Sequence, residues 1–163
     1  MSNIPLTHIQ ESQKLTAADA QVDLYQITLK NKPVTFRFKN NDTVLWRGNE
    51  YEGLACQLTG DTRLADGEES RSSLRIMNPF GVFNMPARAG DLDLAIVTRK
   101  RVLRQHIDSN ANIFEQRMWY VGRVVDLVAG QSISLELRNM TEGPGFQIPV
   151  RMYIPPEFPM VSL

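Results

Sequence analysis

Strict alternation of apolar and polar residues recurs along this chain, and it is the pattern that most limits what the chain can fold into. In 34–39, Val34, Phe36 and Phe38 alternate with Thr35, Arg37 and Lys39. Successive side chains of a strand point to opposite faces, so such a run sets one face on a core and the other in water. In VDLYQITL (22–29), Tyr25, Ile27 and Leu29 share a face and Asp23 is the single charge. Ser73–Ile76 repeats the pattern briefly, and Asp91–Ile96 repeats it with an acidic outer face. The strongest pair comes late. MWYVGRVVDLV, from Met118, places large apolar residues on both faces, and SISLELR (132–138) alternates cleanly after Ala129-Gly130. Two such runs joined by a short glycine-containing turn predict a β-hairpin. A one-residue slip would expose Ile133, Leu135 and Leu137 together, so its register should be tightly fixed. The expected fold is mainly β, an antiparallel β-sandwich or open barrel.

The ends of the chain read differently. After the helix-compatible Pro5, the loosely helical spacing of Leu6, Ile9 and Leu15 predicts a short N-terminal helix or arm within 1–20. The β core is expected over 21–140. Asn78-Pro79-Phe80-Gly81 reads as a turn. Five of the chain's nine prolines fall after Met140. Proline lacks a backbone donor and cannot sit mid-sheet, so 141–163 is expected to be an extended arm lying on a neighbouring surface. Within it, Pro149, Arg151, Tyr153, Pro155 and Pro156 are candidate subunit contacts.

Composition excludes several functions. With 18 basic and 18 acidic residues the formal charge is zero, so no global field draws the chain to nucleic acid or an anionic membrane. The same neutrality leaves little charge repulsion against self-association. The single cysteine, Cys56, forms no internal disulfide and reads as a small buried hydrophobe in LACQL. No apolar run approaches the ~20 residues that cross a bilayer, so no membrane insertion is expected. MSNIPLTHIQ lacks a basic and an apolar leader region, which predicts synthesis and folding in a cytoplasm. No nucleophile elbow, phosphate-binding glycine loop or metal-ligand spacing is visible, and His8 and His106 both read as surface residues. The expectation is a protein that is not an enzyme and carries no cofactor or metal.

Two charged stretches remain. Asp61, Asp66, Glu68 and Glu69 lack the alternate-residue spacing of a calcium loop, and read as an exposed acidic loop that in a ring could face a central channel. Arg99, Lys100, Arg101 and Arg104 form a basic run. Phosphate contact is one reading of it. Without interleaved aromatics for base stacking, and in a neutral chain, a contact to an adjacent subunit is the better one. The alternative to an assembly role is a small β-barrel that binds nucleic acid or carbohydrate through this run. Trp46, Gly48 and Tyr51 predict a hairpin in which the two aromatics pack across the turn.

The order of these features resembles the N-terminal part of the phage minor tail protein L family, from lambda-like siphophages and their relatives. The matching stretches are VDLYQITL, VLWRGNEY, LRIMNPFG, VTRKRVLR, MWYVGRV, SISLELRN and IPVRMYI, spanning about residues 10–152. The resemblance implies a β-sandwich related to tail-tube proteins. It also implies a structural role at the tail tip or baseplate of a virion, as a ring subunit joining the distal tail tube to a central hub or fibre. The ring would be a homo-oligomer, a trimer or else a hexamer, with DNA passing only in transit through its channel. Longer members continue into a cysteine-rich domain holding an iron–sulfur cluster. With Cys56 alone, no cluster is expected here.

Overall fold

The structure, a computed structural model, describes residues 4–12, 19–60 and 72–139. Its elements are α1 (Leu6–Ser12), β1 (Gln21–Thr28), β2 (Thr35–Lys39), β3 (Val44–Trp46), β4 (Asn49–Gly53), β5 (Cys56–Thr59), β6 (Ser72–Met77), α2 (Asn84–Arg88), β7 (Ile96–Leu103), α3 (Arg104–Asp108), β8 (Glu115–Val128) and β9 (Ser132–Asn139). The fold is mainly β, as the alternation predicts. The strands form a nine-stranded sheet in the order β3-β4-β2-β1-β7-β8-β9-β6-β5. Every pairing is antiparallel except β2 with β4, which run parallel with Phe38 opposite Glu52.

The sheet rolls on itself. Its main core joins Tyr25 and Ile27 of β1 and Phe38 of β2 to Cys56 of β5, Leu74 and Ile76 of β6, and Ile133, Leu135 and Leu137 of β9. Those strands are distant in the sheet order, so only a curled sheet brings their inner faces together. Asn40 bridges the seam between β2 and β5. Its side-chain Nδ2 donates to the Cys56 carbonyl at 2.7 Å, and its Oδ1 accepts the Cys56 N–H at 2.6 Å. One amide side chain thus satisfies both backbone groups of a residue at the edge of the sheet.

The long hairpin explains the two-faced apolar pattern of 118–128. Register shifts between Val121 and Arg123 and between Val124 and Asp126 insert Gly122 and Val125 as bulges. Each extra residue flips the phase. The residues that pack on the core are therefore Trp119, Val121, Val124 and Leu127, while Val125 is exposed. Bulges also bend a strand, which suits one that crosses from one wall of the barrel to the other. A Cβ at Gly122 would lie 2.7 Å from Arg138 Nε, so any larger residue at this bulge would push the Arg138 side chain aside.

The β3–β4 hairpin turns through Arg47 (φ 52°) and Gly48 (φ 71°), the two positive-φ positions of a type I′ turn. Trp46 and Tyr51 lie 6.5 Å apart between ring centroids and join Leu24 and Val102 in a second, smaller core. One expectation fails. Asp91–Ile96 is not a strand: 91–94 forms turns, Leu94 has φ 61°, and β7 begins only at Ile96. Leu92 is nonetheless fully buried, so the apolar signal was real and its period accidental. The short N-terminal helix forms as expected, as α1. Leu6 is 74% exposed, and the buried residue is His8.

Candidate assembly interface

The pleat of β7 divides the basic run. Arg99 and Arg101 lie on the face of Val97, Lys100 lies on the face of Val102, and Arg104 is exposed at the start of α3. The four do not present a common cationic surface. Arg99 is buried, with its guanidinium 5.6 Å from the Trp119 ring centroid. Arg101 donates to both carboxylate oxygens of Asp23, at 2.9 and 3.3 Å. Lys100 sits over Trp46 at 5.8 Å and Phe114 at 5.4 Å, and burial, then Arg47 and Arg37, hold its ammonium below the usual lysine value.

Register sets these charges in a ladder across three strands. Asp23, Arg101 and Glu115 face one another, and so do Tyr25, Arg99 and Arg117. Arg117 approaches Glu115 at 3.7 Å. Charges taken from water must be paired in this way, because a lone buried ion is costly. Burial, and then the Asp23 carboxylate, push the Tyr25 phenol up and raise the Cys56 thiol to about 12. Cys56 is therefore a protonated, buried thiol, in accord with its apolar sequence setting.

The histidines are not surface residues. His8 of α1 and His106 of α3 are both buried, stacked with centroids 6.0 Å apart and planes at 26°. Both ring nitrogens of His8 and Nδ1 of His106 lack a hydrogen-bond partner. Burial first, then His106, lower the His8 pKa; Glu115 pulls it up, and Arg101 lowers it further. A contact between positions 8 and 106 has no local sequence signal.

The feature that sequence reasoning missed is the exposure of Phe80. The turn at Asn78–Gly81 forms as predicted, with the Gly81 N–H donating to the Asn78 carbonyl at 3.1 Å and Gly81 at φ 67°. Asn78 pins it on three sides. Its backbone N–H donates to Gln131 O at 2.8 Å, its Nδ2 donates to Asn84 Oδ1 at 2.9 Å, and its Oδ1 accepts the Phe83 N–H at 3.3 Å. Phe83 turns inward against Phe36, 5.0 Å away, and edge-on to Phe38 at 6.3 Å. Phe80 points out and is 80% exposed, beside Met77, Val82 and Met85, all exposed apolar side chains. Between this loop and β2 lies a shallow groove lined by Phe36, Phe38, Leu54, Phe80 and Phe83, with Arg37 and Glu52 among its polar residues. A rigid turn that holds a large aromatic in water has the form of a contact anchor.

The fold has a counterpart among solved structures. A chain from the virion of a native gene transfer agent particle matches with a TM-score of 0.59 and 21% identity, over 93% of this chain and 50% of that one. The chain therefore spans about half the length of that neighbour, and the two share a fold. No protein-family model and no curated protein matches the chain. The acidic residues Asp61, Asp66, Glu68 and Glu69, and the arm residues Pro149, Arg151, Tyr153, Pro155 and Pro156, lie outside the described residues.

Proposed function

We propose that this chain is a non-enzymatic structural component of a phage-type virion, and within it a subunit of a ring at the tail tip. The observation that carries the reading is the fold shared with a component of a gene transfer agent virion across nearly the whole of this chain. The order of sequence motifs, which resembles the N-terminal part of the minor tail protein L family, narrows the location to the tail tip. The ring would join the distal tail tube to a hub or fibre, three copies or else six surrounding a channel through which DNA leaves. Closed homo-oligomers of this kind need one patch of each subunit to meet a different patch of the next. The exposed Phe80 loop is one such patch.

The division of the basic run between two strand faces supports an assembly role over the alternative of nucleic-acid or carbohydrate binding through that run. Immunogold electron microscopy of purified particles, with antibody raised against this chain, tests the reading. Label at the end of the tail away from the capsid is the expected result. Unlabelled particles, with the protein free in the lysate, contradict it.

A further inference from the structure

The Phe80 groove is apolar, aromatic on several sides and built on a braced turn, yet nothing among the described residues fills it. A groove of that chemistry suits an extended proline-rich segment, whose rigid polyproline conformation lays flat apolar faces against aromatic rings at small entropic cost. The chain itself carries such a segment. Residues 146–159 read FQIPVRMYIPPEFP, with prolines spaced among Phe146, Tyr153 and Phe158. They also carry Arg151 and Glu157, opposite in sign to the groove's Glu52 and Arg37.

Reach and direction choose between a chain's own groove and that of a neighbour. Ser132, at the start of β9, pairs with the groove residue Met77, and β9 then runs to Asn139. Seven steps of about 3.4 Å carry the chain up to ~24 Å away from the groove before residue 140. The following residues, 140–163, span at most about 80 Å when fully extended. That length reaches either groove, but β9 points away from its own at Asn139. Delivery to the next copy needs no reversal, and it makes the head-to-tail contact from which rings close.

We infer that residues 146–159 of one copy occupy the Phe80 groove of the next, an inference that rests on the ring-subunit reading above. Arm and groove are then the two unlike patches of one heterologous interface. Phe80 and Phe83 wall the groove, and Arg37 and Glu52 set the polarity of the bound segment.

The test uses the full chain with Tyr153 replaced by p-benzoyl-phenylalanine, mixed with ¹⁵N-labelled chain lacking the cross-linker, irradiated and mapped by mass spectrometry. The expected product joins the arm of the unlabelled chain to 77–85 of the labelled one. Phe80→Asp in the labelled chain should reduce it at least about tenfold. Val125→Asp, at an exposed apolar site outside the groove, should leave it unchanged, and circular dichroism checks that both variants fold. A product confined to a single chain, a product on another surface, or no product at all overturns the inference. Tail label in the immunogold experiment without the mixed product refutes this inference alone. The mixed product from a protein absent from particles refutes the virion reading alone.

Discussion

Phe80 stands 80% exposed on a turn, whereas Arg99 lies 4% exposed within the sheet. The two regions invert the ordinary rule of burial in opposite directions. Around Arg99, charge is buried or half-buried but matched: Asp23 with Arg101, Glu115 with Arg117, and the Arg99 guanidinium over Trp119. Around Phe80, apolar surface is exposed and has no cover among the described residues, although three hydrogen bonds of Asn78 hold it in place. The charged region completes itself within one chain. The apolar region has no such completion among the described residues, and that contrast is the ground for proposing it as an assembly surface.

The largest expected effect breaks the contrast inside the loop. Phe83→Ala removes a fully buried ring packed on Phe36 and Phe38, and should cost about 3–5 kcal/mol by chemical denaturation. A loss below about 1 kcal/mol would mean that the loop is not anchored through Phe83. Next is Asp23→Asn, which weakens the clasp on Arg101. Both side chains keep about 30% exposure, so solvent screening limits the expected cost to roughly 1 kcal/mol, and that cost should shrink in high salt. A salt-independent loss would point to packing rather than charge.

The third prediction concerns His8. Its pKa in the folded protein lies below the ordinary value of 6.5, so the unfolded chain takes up the proton first as pH falls. The stability contributed by neutral His8 is full above about pH 6.5 and is lost as pH falls toward the folded-state pKa. Thermal melts from pH 8 to 5 should show a steeper loss for the native chain than for His8→Phe. Parallel curves would remove the buried histidine from the account. Smallest of all is Phe80→Ala, which should change monomer stability by no more than about 0.5 kcal/mol, because an exposed side chain has little to lose. A larger loss would make Phe80 part of the core and end the contrast with Phe83.

Much of the β core was legible because half-buried strands write their two faces into alternate residues. Phe38, Ile133, Leu135 and Leu137 read correctly as buried, with Phe36 partly buried against the same core. Where the period was local coincidence, the reading failed. The alternation of Asp91-Leu92-Asp93-Leu94 belongs to turns that bury Leu92 by folding back. The basic run does not form a single patch, for the reason that made the strands readable. Neighbours in a strand point apart, so adjacency in sequence sends Lys100 to the opposite face from Arg99 and Arg101. The His8–His106 stack joins helices 98 positions apart, and only the tertiary fold creates it. The turn at Asn78–Gly81 was visible in its proline and glycine, but which of Phe80 and the following Phe83 faces outward depends on Asn78 contacts that composition does not record.

Hydroxyl-radical footprinting of the free protein and of purified particles tests the central claim most directly, because methionine and phenylalanine are reactive and sit where the claim needs them. The account expects Phe80, Met77 and Met85 to be readily oxidised in the free chain and strongly protected in particles. Exposed apolar residues elsewhere, such as Leu45, should change less. Equal oxidation of Phe80 and Met85 in both samples would show that this loop faces solvent in the assembly, and would contradict the account.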